Sequence, residues 1–386
     1  MRLNPVLEHL TPYRSGPPVE DIRRRYRLER LARLSANESP YGPFPEVIEA
    51  IKAVLDGLNR YPDGACGDLR KLLAKELRVE EECLVFGNGS CELLMLMGEA
   101  FLGPDRHAVF PHPSFVMYRS IALARGSSFT AVALPGLDYD LEAMLVAVRA
   151  NTSLLIICNP NNPTGSYLGP GELRPFLQRV PVHTVVVLDE AYGEFVTSPD
   201  REDSTAWLIE HPNLVVLRTF SKIYGLAGLR VGYGIAHPQV VQALDKVRQP
   251  FNVDSLAQVA AVESLRHPGR VEERRRLISD ERERMAQSLE AMGVEHRPSQ
   301  GNFLLVAVTD LGIPGPETAQ ALLERGIMTR SGYAMECPGW IRVTVGEVGE
   351  NDLFLSAIEE LRQRQAAPVA PHTVNGLSAE ALSPES

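Results

Sequence analysis

Three short apolar runs constrain the fold of this 386-residue chain more than any other feature of it. Leu154-Leu-Ile-Ile-Cys158, Thr184-Val-Val-Val-Leu188 and Asn213-Leu-Val-Val-Leu217 are continuously apolar and of strand length, so they read as strands buried on both faces. Segments of helix length separate them, which is the pattern of a mostly parallel, doubly wound α/β sheet. Ligands of such sheets sit beyond the carboxyl ends of the strands. The residues found there are Asn159-Pro-Asn-Asn-Pro-Thr-Gly165, Asp189-Glu-Ala-Tyr192 and Thr219-Phe-Ser-Lys222. The three loops are therefore expected to share one crevice.

Lys222 is the most informative of these residues. A solvated ammonium is a poor nucleophile, but a partly desolvated lysine amine can condense with a carbonyl. Thr219 and Ser221 offer short hydroxyl donors, and Arg230, eight residues after Lys222, offers a guanidinium able to grip a phosphate with two hydrogen bonds. A carbonyl and a phosphate on one molecule point to pyridoxal phosphate. Asp189 would then keep the pyridine nitrogen protonated, so that the ring can draw electrons from a carbanion. The amide of Asn162, fixed by Pro163, could donate to the ring's phenolate oxygen. Between the run Cys83–Phe86 and a helical stretch lies Gly87-Asn-Gly-Ser-Cys91, a glycine-bearing loop at a helix start and so a possible phosphate cradle. It lacks the third glycine and the acidic residue of a dinucleotide fingerprint, which argues against a nicotinamide dehydrogenase. Phe115 could lie against a planar heterocycle or join the core. Asn37 lies in the turn cluster Leu34–Pro43, where it could simply cap a turn, and Tyr61 is stiffened by Pro62 in another turn.

The length and the balance of 44% hydrophobic to 23% charged residues suit two lobes with a large buried core. The expected division is an amino-terminal arm with part of a small domain over 1–44, a large cofactor-binding domain over 45–255, a smaller α+β domain over 256–365 and a disordered tail over 366–386. The arm reads as extended with a short helix rather than as strand, and Val231–Ala236 as a sheet-edge strand. Residues 271–292 form a charged helix that keeps Leu277, Ile278, Met285, Leu289 and Met292 on one face and links the lobes. The last lobe reads as strands Asn302–Val306, Ile327–Arg330 and Trp340–Val345 among helices at 317–325 and 353–364. Arg330 and Arg342 sit between apolar strand residues, where a guanidinium is costly unless an anion meets it. A net charge of −10 without a basic stripe argues against nucleic acid or an anionic membrane as partner. Five scattered cysteines suggest neither a metal site nor disulfides and favour a reducing cytoplasm. The chain shows no apolar signal core and no run long enough to span a bilayer.

In order and spacing, Asn159-Pro-Asn-Asn-Pro-Thr-Gly, Leu188-Asp-Glu-Ala-Tyr, Thr219-Phe-Ser-Lys and Gly228-Leu-Arg resemble the fold type I pyridoxal-phosphate aminotransferases. From about Thr11 to Gln363 the chain is most similar to their histidinol-phosphate aminotransferase branch. The resemblance implies that Lys222 is the cofactor lysine and the base of a 1,3-proton shift. It implies that Asp189 pairs with the pyridine nitrogen, that Tyr192 and Asn162 contact the ring hydroxyl, and that Phe115 stacks on the ring. Backbone donors of Ser90 and Cys91, with Thr219, Ser221 and Arg230, would hold the cofactor phosphate. Cys91 stands where this family often has aspartate. Tyr61 would reach the neighbouring subunit's cofactor in a homodimer. Tyr13, Asn37, Asn162, Arg330 and Arg342 would face the substrates, L-histidinol phosphate in one half-reaction and glutamate or 2-oxoglutarate in the other, as a step of histidine biosynthesis. Aromatic amino acid aminotransferases and threonine-phosphate decarboxylases share nearly every motif. A non-catalytic regulator on this fold usually carries an additional DNA-binding domain, for which the amino-terminal segment is too short and proline-rich.

Overall fold

The computed structural model describes residues 3–10, 12, 18–311 and 314–366; Tyr13 and residues 367–386 of the expected tail lie outside them. Thirteen strands occur among the described residues. In chain order they are β1 (Ala32–Arg33), β2 (Leu84–Gly87), β3 (His107–His112), β4 (Ser128–Ala133), β5 (Thr152–Cys158), β6 (Val185–Asp189) and β7 (Leu214–Thr219). There follow β8 (Gly232–Ala236), β9 (His296–Arg297), β10 (Phe303–Ala307), β11 (Ile327–Met328), β12 (Arg330–Ser331) and β13 (Trp340–Thr344).

Strands β2 to β8 make one seven-stranded sheet in the order β2-β8-β7-β6-β5-β3-β4. It is parallel throughout except for β8, which runs antiparallel to both neighbours. The two-residue side-chain period of a strand explains why the central runs are apolar at every position. Along β5, Leu155 and Ile157 enter one hydrophobic cluster while Leu154, Ile156 and Cys158 enter the cluster on the other face. Along β6 and β7 the same split separates Val186, Leu188 and Val216 from Val187, Val215 and Leu217. Each such burial stabilises the sheet by roughly 1.5–3 kcal/mol. The pairing sets Cys158 opposite Asp189 and Asp189 opposite Leu217, so the three polar loops leave the sheet at one level.

The sequence reading of Val231–Ala236 as an edge strand is corrected here, because β8 lies inside the sheet between β2 and β7. Its glycines mark close neighbours rather than an open edge. A Cβ on Gly234 would sit 3.0 Å from Val85 Cγ1 and 3.1 Å from Leu217 Cδ2. The run Ile327–Arg330 is likewise not one strand. It divides into β11, which pairs in parallel with β1, and β12, which belongs to the small sheet β12-β13-β10-β9. The arm thus does contribute a strand, two residues long and formed only because its partner lies in the last lobe.

The 24-residue helix Pro268–Ala291 buries Ile278, Met285 and Leu289 on its apolar face. It packs on β9, β10 and the helix Val348–Ala366 beside the small sheet and on Gly193–Phe195 beyond β6 of the large sheet. Two of its charged residues are buried as well. Arg274 donates to the carbonyls of Ile223 and Gly42, and Arg282 donates to Gly301 O at 2.8 Å. Burial pushes the Arg274 guanidinium down to about 10, a cost offset by fastening the residue after Lys222 to the arm. Among the described residues no helix is long and apolar enough to cross a membrane.

Candidate active site

A cavity of about 500 Å³ opens where the three loops of the large sheet face the small sheet. Lys222, three residues beyond the end of β7, reaches it from below. Its amine donates to Asn37 O at 3.0 Å and Ala36 O at 3.3 Å, and lies 5.5 Å from the centre of the Tyr192 ring. Burial, seconded by the charge of Arg342, pushes this amine down to about 8. Asp189, the last residue of β6, is 2% exposed. One oxygen accepts the Tyr118 hydroxyl at 2.8 Å and the other accepts the Ala191 amide at 3.1 Å. Burial outweighs these two bonds and raises the carboxyl to about 6. Tyr192 is buried, accepts from Asn37 Nδ2 at 3.0 Å, and is pushed up to about 12 by burial.

The asparagine loop sorts its amides by function. Asn159 binds the Leu168 backbone in both directions, and Asn161 binds Pro113 O, the Thr164 hydroxyl and the Ser114 hydroxyl, so both hold the loop itself. Asn162 lines the cavity. Its Oδ1 accepts from Arg342, which leaves the Nδ2 donor for a ligand.

At one end of the cavity the chain offers donors. Gly89 (φ +75°) turns into the helix Ser90–Phe101, whose first amides point outward. A Cβ on Gly89 would sit 2.5 Å from Arg230 Nη2, and one on Gly232 would sit 2.7 Å from Ser90 N. Only glycines let these groups close on one point. Thr219 and Ser221 join them, with hydroxyls 3.0 Å apart, and Arg230 Nη1 lies 3.4 Å from Ser221 Oγ and 3.2 Å from Ala227 O. Cys91 lines the same end, and burial pushes its thiol up, so the side chain stays neutral there.

At the other end stand two guanidiniums. Arg330 on β12 and Arg342 on β13 are directly opposite one another in the strand pairing. Arg342 is 7% exposed and donates to Ser35 O at 2.7 Å, with its guanidinium 5.5 Å from the centre of the Phe303 ring. Asn37, wholly buried with φ +52°, is pinned by Thr344, whose hydroxyl accepts from its amide at 2.9 Å and donates to its Oδ1 at 3.2 Å. Phe115 forms part of the wall, edge-on to Tyr118 at 5.8 Å.

Among the described residues, two expected ones do not line this cavity: Asn37 is wholly buried and reaches it only through its bonds to Tyr192 and Lys222, and Tyr61 is 82% exposed, stacked on Phe251 at 4.8 Å. Tyr13 lies outside the described residues. Tyr118, Arg33 and Glu38 were missed in the sequence. Tyr118 could have been found as the one hydroxyl on the buried face it shares with Ile121 and Ala122 in helix Met117–Ala124. Arg33 and Glu38 carry no local signal, since their place depends on the pairing of β1 with β11.

Comparison with known proteins agrees with this geometry. The family model for aminotransferase class I and II matches residues 29–358. The histidinol-phosphate aminotransferase of Geobacillus thermodenitrificans is 43% identical over 95% of this chain and 100% of its own length. That of Brevibacillus brevis is 41% identical over 90% and 95%. The crystal structure of the Sinorhizobium meliloti histidinol-phosphate aminotransferase, in complex with pyridoxal-5′-phosphate, superposes with a TM-score of 0.84 at 30% identity, covering 94% of this chain and 98% of that one. Aspartate aminotransferase of Thermus thermophilus shares the fold, with a TM-score of 0.82 at 23% identity over 94% of this chain and all of the other. The chain belongs to the class I and II aminotransferases, in their histidinol-phosphate aminotransferase branch.

Proposed function

We propose that this protein transfers the amino group of L-histidinol phosphate to 2-oxoglutarate in histidine biosynthesis, using pyridoxal 5′-phosphate. One observation carries the reading: a single cavity holds the desolvated amine of Lys222, the buried carboxyl of Asp189 and the paired guanidiniums of Arg330 and Arg342. The residues fit the cofactor on three counts. A buried carboxyl raised to about 6 wants a cationic or N–H partner, which a pyridinium supplies. The cradle closed by Gly89 and Gly232 presents amides, hydroxyls and a guanidinium, the donors a phosphate needs. Between these ends lie the Phe115 ring and the free donor of Asn162.

When bound, pyridoxal phosphate supplies an electron sink that acidifies the proton on the amino-bearing carbon. Asp189 would hold the ring nitrogen in its protonated form. Lys222, held by the carbonyls of Ala36 and Asn37, would be the base that moves the proton on the amino-bearing carbon. Tyr192 and Asn162 fix the ring oxygen, and Asn37 in turn orients Tyr192. Ser90, Cys91, Thr219, Ser221 and Arg230 hold the phosphate. Arg330 and Arg342 receive the substrate's phosphate in one half-reaction and a carboxylate in the other. Tyr61, which is exposed and does not line its own chain's cavity, serves the partner's site in a homodimer, and the enzyme works in the cytoplasm.

The test follows the visible absorbance of the cofactor-loaded enzyme with one amino donor at a time and no keto acid. Histidinol phosphate is expected to convert it at least ~100-fold faster than phenylalanine, well within the ~10⁴–10⁵ that a site with matched polar partners can reach. Equal rates with phenylalanine, or carbon dioxide from O-phosphothreonine, would replace this reading. For the cradle, Gly232→Ala is expected to weaken cofactor binding at least about tenfold, because the new Cβ must displace Ser90 N. An absorbance titration with unchanged affinity would place the phosphate elsewhere.

A further inference from the structure

Among the described residues, Arg33 and Glu38 are the two that line both the site cavity and a second cavity of about 1090 Å³ behind it. Their ion pair is the partition: one Arg33 nitrogen donates to both Glu38 oxygens, at 2.9 and 3.1 Å. Around this pair the backbone is fixed. Asn37 is pinned by Thr344, and Asn302 Nδ2 donates to the carbonyls of Asn37 and Glu38. Arg33 is held on β1 opposite Met328, two residues before Arg330 and itself part of the cavity wall. The pairing itself is loose, with side-chain exposures of 56% and 38%. A pair this exposed adds little to stability, so a ligand can take either partner at little cost. Glu38 and Lys222 line the same cavity, so the carboxylate faces the space a substrate occupies.

The substrates of the reaction proposed above differ on the two sides of the carbon that bears the amine. Histidinol phosphate carries a phosphate-bearing arm on one side and an imidazole on the other. Glutamate carries a carboxylate directly on one side and a longer arm ending in a carboxylate on the other. With Arg330 and Arg342 on the phosphate or the α-carboxylate, the substrate's other arm presents a ring N–H in one half-reaction and an anion in the other. A single fixed charge there would favour one ligand and repel the other. An ion pair carries both answers.

We propose that the Arg33–Glu38 pair is the distal specificity element of this site, with Glu38 accepting the imidazole N–H and Arg33 receiving the distal carboxylate. This rests on the histidinol-phosphate reading above. The test uses the full-length cofactor-loaded enzyme and measures its two half-reactions separately, with histidinol phosphate alone and with glutamate alone. Glu38→Gln is expected to shift the ratio of their second-order rate constants at least tenfold toward glutamate, and Arg33→Gln at least tenfold toward histidinol phosphate. Glu38→Asp and Arg33→Lys, which keep the charges, are expected to restore part of each ratio. Wild-type enzyme active on histidinol phosphate, with the ratio unmoved in both glutamine variants or both half-reactions lowered equally, would overturn this proposal alone. Wild-type enzyme inert to histidinol phosphate would overturn the functional reading and this one with it.

Discussion

Lys222→Ala is expected to give a folded enzyme that has lost at least ~10³-fold in kcat. The magnitude follows from the environment of the amine. A solvated lysine, with its ordinary value near 10.4, is about 0.04% free base at pH 7, whereas one held at about 8 is roughly 10% free base. The fold thus gains a factor of about 250 in competent base through burial and the nearby guanidinium of Arg342. A positioned base contributes ~10²–10⁴ to proton transfer, and alanine leaves no group near the Ala36 and Asn37 carbonyls to replace it. The measurement is single-turnover conversion with histidinol phosphate, repeated with added ethylamine. Partial recovery by the small amine is expected, because it can occupy the vacated space. A variant within tenfold of wild type would remove Lys222 from the chemistry.

Asp189→Asn is expected to move activity and stability in opposite directions. Activity falls at least ~10²-fold, since a neutral amide cannot hold the ring nitrogen protonated. Stability of the cofactor-free protein rises. The sign follows from linkage: the folded carboxyl, at about 6, binds its proton more tightly than the unfolded one at 3.8. Its burden on the fold is therefore absent at low pH, grows as pH rises from about 4, and levels off above about 6 at roughly 3 kcal/mol. Asparagine carries no such burden. Its stability advantage is expected to be roughly 1–2 kcal/mol larger at pH 8 than at pH 5, read by urea unfolding of cofactor-stripped protein. Equal stabilities at pH 8 would mean that the cavity solvates Asp189 better than its burial implies. The strain at this strand end is of the kind active sites keep at a cost to the fold.

The central sheet was legible because its strands are buried on both faces. Runs such as Leu154–Cys158 have no polar position to disguise them, and the residues that end them are forced to one level by the pairing. That is why Asn162, Asp189 and Lys222 could be grouped from spacing alone, and the structure does set them around one cavity. The strand Gly232–Ala236 misled because a sequence does not say whether glycine is there for looseness or for tightness. Only the 3.0 Å approach of Val85 decides it. Arg33 and Glu38 were illegible for another reason. Their neighbours in space come from the far end of the chain, and no local pattern announces a two-residue strand whose partner is 295 positions away (327 − 32).

That long reach also has a consequence for how the protein is born. Asn37, whose carbonyl steadies Lys222, is itself held by Thr344, 307 residues later. At about 5–20 residues per second a ribosome needs roughly 15–60 s to travel that distance. For the last part of it, the 112 residues from Gly232 to Thr344 (344 − 232) and so about 6–22 s, the cradle residues and the lysine are already made while the strand that fixes their tether is still unwritten. A nascent chain can therefore assemble the sheet early and yet be unable to retain its cofactor, and loading becomes an act of the finished protein rather than of the growing one.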